Sequence, residues 1–420
     1  MTEKLLQFIW QFQYFSRANL RTIEGESLEI LFPGKLNNNQ GPDFLDAKLR
    51  IGTTLFAGSV ELHLKTSDWS RHGHTSDSNY SNVILHVVLQ HDALIKNTIP
   101  VLELQNRISV LMQDRYANLM EAASFVPCAA SLTQVQELTW LSWKERLVAE
   151  RLTRKAQAVF QILNRTSHHW EETFWRLLAR NFGITVNAEA FEELAQSISI
   201  TILAKHRNSI HQLEALLLGQ SHLIPEDPED EYTKLLQREY TFLRNKFLLK
   251  PITSPVHFLR MRPGNFPTIR LAQLAMLVHT SHHLFSKLLE ETDLNVIRNW
   301  LQVTANDYWH YHYRPDHPSA YKPKKLGRSM ADTVIINTIV PVLFAYGVHQ
   351  GQEAHKEKAL RWLQEMNSES NAVTNGFREI SVSTKSAYDS QALLELKREY
   401  CDNKRCLNCA VGVALLKKCS

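Results

Sequence analysis

After a short opening helical stretch, the hydrophobic period of this 420-residue chain passes from that of strands to that of helices, and that change bounds what it can fold into. From about Leu28 to about residue 110, apolar residues alternate with polar ones as they do in half-buried strands. Beyond about Leu132 they recur at the three-to-four-residue spacing of amphipathic helices. Residues 4 to 22 open with a helical pattern carried by Leu5, Phe8, Ile9, Phe12, Phe15 and Leu20. Leu28 to Phe32 then reads as a strand stopped by Pro33-Gly34. Ala47, Leu49 and Ile51 alternate with Lys48 and Arg50, Gly52-Thr53-Thr54 turns the chain, and Leu55 to Lys65 returns, with Gly58 marking a bulge. Val83 to Leu89 and Val101 to Leu104 supply two more strands. This order of helix, strand, hairpin and two further strands predicts a small mixed sheet with a helix against it. Helices are expected at Gln134 to Leu163, Glu171 to Asn181, Glu231 to Leu248, Arg270 to Leu289 and Asp332 to Tyr346. The fold class is therefore α+β, with a small mixed-sheet domain over residues 1–115 and a mainly helical domain over 116–420 that ends in a cysteine-containing segment.

Composition removes some function classes. A formal net charge of +4 is small for this length, so it permits a local basic face without arguing for a polyanion partner. Lys4 is followed by a broken apolar stretch without a cleavage pattern, which is unlike a secretory signal. No window reaches the roughly 20 apolar residues of a membrane span. Val334 to Gly347 comes nearest, but it contains Asn337 and Pro341 and reads as a buried helix. Of the five cysteines, four fall in the last twenty residues, unlike a secreted disulfide framework. The expected location is the cytoplasm, with no membrane partner; composition does not set the oligomeric state.

Chemistry concentrates between Gly41 and His86. On the strand Val60 to Lys65, Glu61, His63 and Lys65 share one face and Val60, Leu62 and Leu64 the other. Asp43, in the turn Gly41-Pro42-Asp43 before the hairpin, is placed to stand beside them. A carboxylate on a turn, a second on a strand and a cation two residues on suit metal-assisted hydrolysis: the carboxylates hold Mg²⁺ or Mn²⁺ and the cation stabilises developing charge.

Pro42-Asp43, a hairpin, and Glu61-x-His63 on a strand resemble the PD-(D/E)XK restriction-endonuclease-like superfamily over about residues 4–105. The resemblance implies a nuclease-like core in which Asp43 and Glu61 are the acidic metal ligands. The lysine of that pattern falls on His63, which binds metals or shuttles protons but is not a permanent cation; Lys65, one step further on the same face, is its expected substitute. The wider pattern of Gly-Pro-Asp-Phe44, Val-Glu-Leu-His63, Asp-Trp69, His72-x-His74 and Val-Ile-Leu-His-Val-Val88 resembles an uncharacterised bacterial family of unknown function, extending over most of the chain.

Other candidates surround this stretch. His72-Gly73-His74, with Asp68 and Asp77 nearby, is a pair able to chelate zinc or manganese or to reach back to the strand. His86, inside an apolar strand, reads as a core histidine. Arg260, Arg262 and Arg270 flank a Pro-Gly-Asn turn and a helix start, a combination that favours phosphate. Tyr308 to Arg314 and Lys322 to Arg328 interleave aromatic and basic residues, which suits single-stranded nucleic acid. Cys401-x4-Cys406-x2-Cys409, with Cys419 further on, has the spacing of a zinc site or an iron–sulfur cluster. The leading expectation is a metal-dependent phosphodiesterase, a nuclease acting on DNA or RNA. Asp43, Glu61, His63 and Lys65 are its catalytic residues, and His63, His72 and His74 are further metal ligands. A non-catalytic nucleic-acid-binding scaffold that keeps the core shape, and a histidine-based metalloenzyme with a small-molecule substrate, are the alternatives.

Overall fold

The computed structural model describes residues 1–37, 39–94, 99–259 and 261–417. The chain forms two compact units, one from Met1–Arg146 together with Leu394–Ser420 and the other from Leu147–Leu393. The first unit thus runs beyond residue 115 and takes up the cysteine-containing segment as well. The reason lies in its core, where Cys406 and Leu416 pack among the same buried residues as Leu5, Trp10, Phe44, Val60 and Leu85.

The first unit opens with helix α1 (Glu3–Phe12), capped by the Thr2 hydroxyl, which accepts from the Leu5 N–H at 3.2 Å. Its apolar stripe, Leu5, Leu6, Phe8, Ile9 and Trp10, is buried. Strands β1 (Leu28–Phe32), β2 (Lys35–Leu36), β3 (Phe44–Ile51), β4 (Thr54–Lys65), β5 (Val83–Gln90) and β6 (Val101–Glu103) form one mixed sheet. Its order is β1-β3-β4-β5-β6, with β2 also pairing with β3. The pairs β1·β3 and β3·β4 are antiparallel, whereas β4·β5 and β5·β6 are parallel. The parallel pairing places Glu61 beside His86.

The bulge expected at Gly58 lies beside it, with the extra residue on the neighbouring strands. The β3·β4 register shifts between the pairs Ala47–Gly58 and Phe44–Val60, where Asp46 adopts φ 60°, and the β4·β5 register shifts at Ser59–Val60. Gly58 also serves close packing, because a Cβ there would stand 2.6 Å from the Asn82 carbonyl oxygen. The connection from β4 to β5 is no long crossover helix. It is a one-turn helix α2 (Asp68–Arg71) followed by two 3₁₀ turns, His74–Ser76 and Ser78–Tyr80. Helix α3 (Val110–Glu121) follows β6.

The second unit is helical apart from a small ribbon of His312–Arg314 and His317–Pro318. Trp170–Phe182 and Glu231–Phe247 form close to where periodicity places them. The helix expected over Arg270 to Leu289 is split into Pro267–Thr280 and Leu284–Glu290, with His283 at φ 49° between them. Thr280-Ser-His-His283 is a run of weak helix formers, which explains the break. The apolar helix Arg328–Gln350 has the length and hydropathy to cross a membrane by composition, but 67% of its most apolar window is buried within the protein. A π turn over Ile335–Ile339 precedes Pro341 and relieves the missing N–H of that proline.

Candidate metal centre

The polar face of β4 is not left to solvent. Glu61 and His63 are 5% and 1% exposed, because the segment carrying α2 lies over them and Trp69 meets the His63 ring edge-on at 6.4 Å between centroids. Around these two residues a compact donor set forms. His63, His72 and His74 bring one ring nitrogen each to within 4.8 Å of one another, the one such trio of histidine, cysteine or acidic residues among the described residues. His63 Nε2 lies 3.1 Å from His72 Nδ1. Glu61 Oε1 lies 3.5 Å from His63 Nε2 and 3.5 Å from His74 Nε2. A tetrahedral ion with bonds of about 2.0–2.1 Å sets its donors about 3.3 Å apart. The observed separations bracket that value. His74 Nε2 is buried with no hydrogen-bond partner, as a lone pair reserved for a cation would be.

Each donor is placed by an identifiable device. Gly73, at φ 74°, reverses the chain between His72 and His74 so that both rings face the strand. His74 stacks on Tyr80 at 3.8 Å between centroids. His63 Nδ1 lies 2.9 Å from His86 Nε2. When Nε2 of His63 ligates, Nδ1 carries the proton and donates to His86, which fixes the ring. His86, fully buried, thus holds the His63 ring by this contact as well as filling the core. Asp43 does the same for Glu61: its backbone N–H donates to Glu61 Oε2 at 2.9 Å, leaving Oε1 toward the histidines. The Asp43 carboxylate accepts from Gln7 Nε2 at 2.8 Å and from the Leu62 N–H at 3.1 Å.

Burial sets the charge states. Desolvation, then the neighbouring Asp43, pushes the Glu61 carboxyl up to about 8, and desolvation raises Asp43 to about 6. Desolvation first, then the other histidines, lowers His63 to about 2 and His86 to about 3. At pH 7 the His63 ring is neutral, the form that ligates metals, and the 3.5 Å Glu61–His63 contact joins two uncharged groups.

Not every expected residue reaches this place. Lys65 is exposed at the end of β4, where its charge is a minor contributor, after the Ser67 hydrogen bonds, to lowering Asp92. Arg71 is a cation near the histidines: its charge acts on His63, its side chain is 70% exposed and its Nη2 pairs with Asp68 Oδ1 at 2.8 Å. It sits inside the motif-bearing stretch, but in no motif position. Among the arginines of the second unit, Arg262 is exposed, whereas Arg270 is buried and bonds internally to Asn265 and Gln273. Arg260 lies outside the described residues. Lys324, in the basic run, is also buried, and its Nζ lies 3.8 Å over the Tyr313 ring.

Gly73 gives a first prediction. Gly73→Ala meets no atom within 4 Å, so its cost is the left-handed backbone alone, about 1–2 kcal/mol. Because relaxation of that strain would rotate His72 and His74 apart, metal affinity should fall about tenfold or more, while Gly73→Asn, which tolerates positive φ, should retain most of it. Calorimetric titration of both variants with Zn²⁺ and Mn²⁺ checks this.

No curated protein and no solved structure matches the chain. Residues 3–372, nearly the whole chain, match one family, and the protein belongs to it: Protein of unknown function (DUF2851).

Proposed function

We propose that this protein is a metal-dependent phosphodiesterase acting on nucleic acid, with a divalent ion held by Glu61, His63, His72 and His74. The observation that carries this reading is the donor set around Glu61 Oε1, at 3.5 Å from two histidine nitrogens beside a third. Three imidazoles and one carboxylate favour Zn²⁺ or Mn²⁺ over Mg²⁺, which prefers an all-oxygen shell. Such an ion acidifies water and neutralises charge on a phosphate oxygen. His72, the exposed ligand, leaves the site open on one side.

Three further features support a nucleic-acid phosphodiester as substrate. The antiparallel β3·β4 hairpin followed by the parallel strand β5, with Asp43 entering β3 and Glu61 on β4, agrees with the arrangement implied by the nuclease resemblance. Arg71 offers a fixed positive charge where that pattern's lysine is missing. A cleft of about 520 Å³ next to His74 is lined by Phe56, Trp69 and Tyr80, aromatic surface suited to a base.

The convergence of three histidines also favours a second reading, a histidine-based metalloenzyme acting on a small molecule. The test separates them. Protein loaded with Mn²⁺ or Zn²⁺ is assayed on single- and double-stranded DNA and RNA and on bis(p-nitrophenyl) phosphate. Cleavage of the polymers, reduced at least tenfold in Arg71→Ala and little changed in Lys65→Ala, supports the proposal. Turnover of the small diester without cleavage of any polymer favours the second reading. No turnover of any of them by metal-loaded protein overturns phosphodiesterase activity.

A further inference from the structure

Cys401, Cys406 and Cys409 do not assemble a second centre, because the histidines form the one group of ligand atoms within 4.8 Å of one another among the described residues. A different feature lies wholly within the second unit, a cavity of about 290 Å³ between helical elements. Helix Trp170–Phe182 supplies Phe174, Trp175 and Leu178 to its wall, and helix Ile200–His206 supplies Thr201. The break between Pro267–Thr280 and Leu284–Glu290 supplies Leu277 and Ser281. His283, whose left-handed φ of 49° makes that break, lines the cavity as well.

The floor of this cavity is apolar and its rim is rich in donors. Phe174, Trp175, Leu178 and Leu277 are buried. The one polar atom of the Trp175 side chain is engaged elsewhere, since its indole N–H donates to the Ile198 carbonyl at 2.9 Å. Such a floor holds water poorly. A 150 Å³ apolar cavity admits a benzene ring, so this one takes an apolar body of about twice that size. At the rim, the Arg207 guanidinium has no ion pair or hydrogen bond among the described residues, and its contact with His279 runs through the backbone carbonyl. His169 accepts the Glu172 N–H through Nδ1 at 3.1 Å, which leaves Nε2 as a donor. Thr201 and Ser281 add hydroxyls. Glu171, the one carboxylate in the lining, already accepts the Ser286 hydroxyl at 3.3 Å. It also stands in the first turn of its helix, where the helix dipole offsets its charge. The charges of Arg207 and Lys287 both act on His282 beside the break, so positive charge gathers at this edge.

We propose that this cavity binds a small amphipathic carboxylic acid, with an aryl or acyl body of about ten carbons on the apolar floor and its carboxylate on Arg207. A planar guanidinium offers two parallel N–H donors to a carboxylate, and burial of the body against Phe174 and Trp175 supplies much of the affinity. A neutral ligand leaves the Arg207 charge without a partner, and a cationic one is repelled by it. The site is independent of the histidine centre and stands whether or not that centre is catalytic.

The full chain is titrated calorimetrically in the presence of a chelator, so that no carboxylate reaches an ion held by the histidines. The probes are 2-naphthylacetate, 2-(2-naphthyl)ethanol and 2-(2-naphthyl)ethylamine, which share one aromatic body and differ in charge. One equivalent of 2-naphthylacetate should bind, about tenfold or more tightly than the alcohol, with the amine weakest. Arg207→Gln should remove that preference and leave the affinity for the alcohol within about twofold. Ala204 lines the cavity at an exposed position, so Ala204→Phe should fill the space and abolish binding of all three. No binding of 2-naphthylacetate at millimolar concentration, equal affinity for the three probes, preference for the amine, or undiminished binding in Ala204→Phe would each overturn the proposal. The three probes on the wild type decide the charge preference even if a variant does not fold.

Discussion

Glu61→Gln should lower metal affinity by about a hundredfold or more and reduce any metal-dependent turnover by orders of magnitude, while making the metal-free protein more stable. The two effects share one cause. Glu61 is 5% exposed and its carboxyl is pushed up to about 8, so ionising it in the folded protein is unfavourable without a cation beside it. Glutamine has the shape of the protonated acid and can still accept the Asp43 N–H through its carbonyl oxygen. Its amide offers the ion no charge. Melting temperatures measured in chelator should rise for the variant, and the gain should grow between pH 7 and pH 9, as the wild-type carboxyl ionises. A variant that melts lower in chelator at pH 9 would show that Glu61 is stabilised by a partner other than a metal. His63→Ala should lose the metal as completely but destabilise the protein, since it also opens a cavity beneath Trp69.

The stabilisation conferred by the metal should depend steeply on pH, and the sign follows from the same groups. Glu61 and Asp43 hold their protons more tightly folded than unfolded, to about 8 and about 6. Their contribution to stability is therefore complete at low pH and is lost as pH rises through those values. His63 and His86, lowered to about 2 and about 3, act oppositely: stability is present above the unfolded histidine range and is lost as pH falls below it. Metal-free protein should thus be most stable in mildly acidic solution. A divalent ion must displace the Glu61 proton, so below pH 8 its affinity should weaken by about tenfold per pH unit from this group alone. Saturating Zn²⁺ or Mn²⁺ should raise the melting temperature by several degrees at pH 8 and hardly at all at pH 5. An equal rise at both values would mean that the ion binds without Glu61.

Much of this was legible in the residues, and the exceptions have physical reasons. Alternation over Ala47 to Ile51 and Val60 to Lys65 placed the two long strands, because one face of each had to be buried. Alternation also put Lys65 with Glu61 and His63, but a shared face says nothing about where a strand leaves its cover, and Lys65 lies beyond that edge. His72 and His74 stood out by spacing, whereas the role of His86 required knowing that β5 runs parallel beside β4. Asp43 was expected as a ligand; both of its carboxylate oxygens accept protein hydrogen bonds, and its link to Glu61 is a backbone N–H that sequence cannot reveal.

The composition of the first unit from two distant stretches has a consequence for biosynthesis. Residues 394–420 contribute Cys406 and Leu416 to its core, but they are translated only after the intervening Leu147–Leu393. At about 5–20 residues per second, the nascent sheet waits roughly ten to fifty seconds for the pieces that cover it. During that interval its apolar surface is available to chaperones and to neighbouring nascent chains. Slow codons placed between residues 147 and 393 should therefore depress the yield of folded protein more than the same codons placed before residue 146.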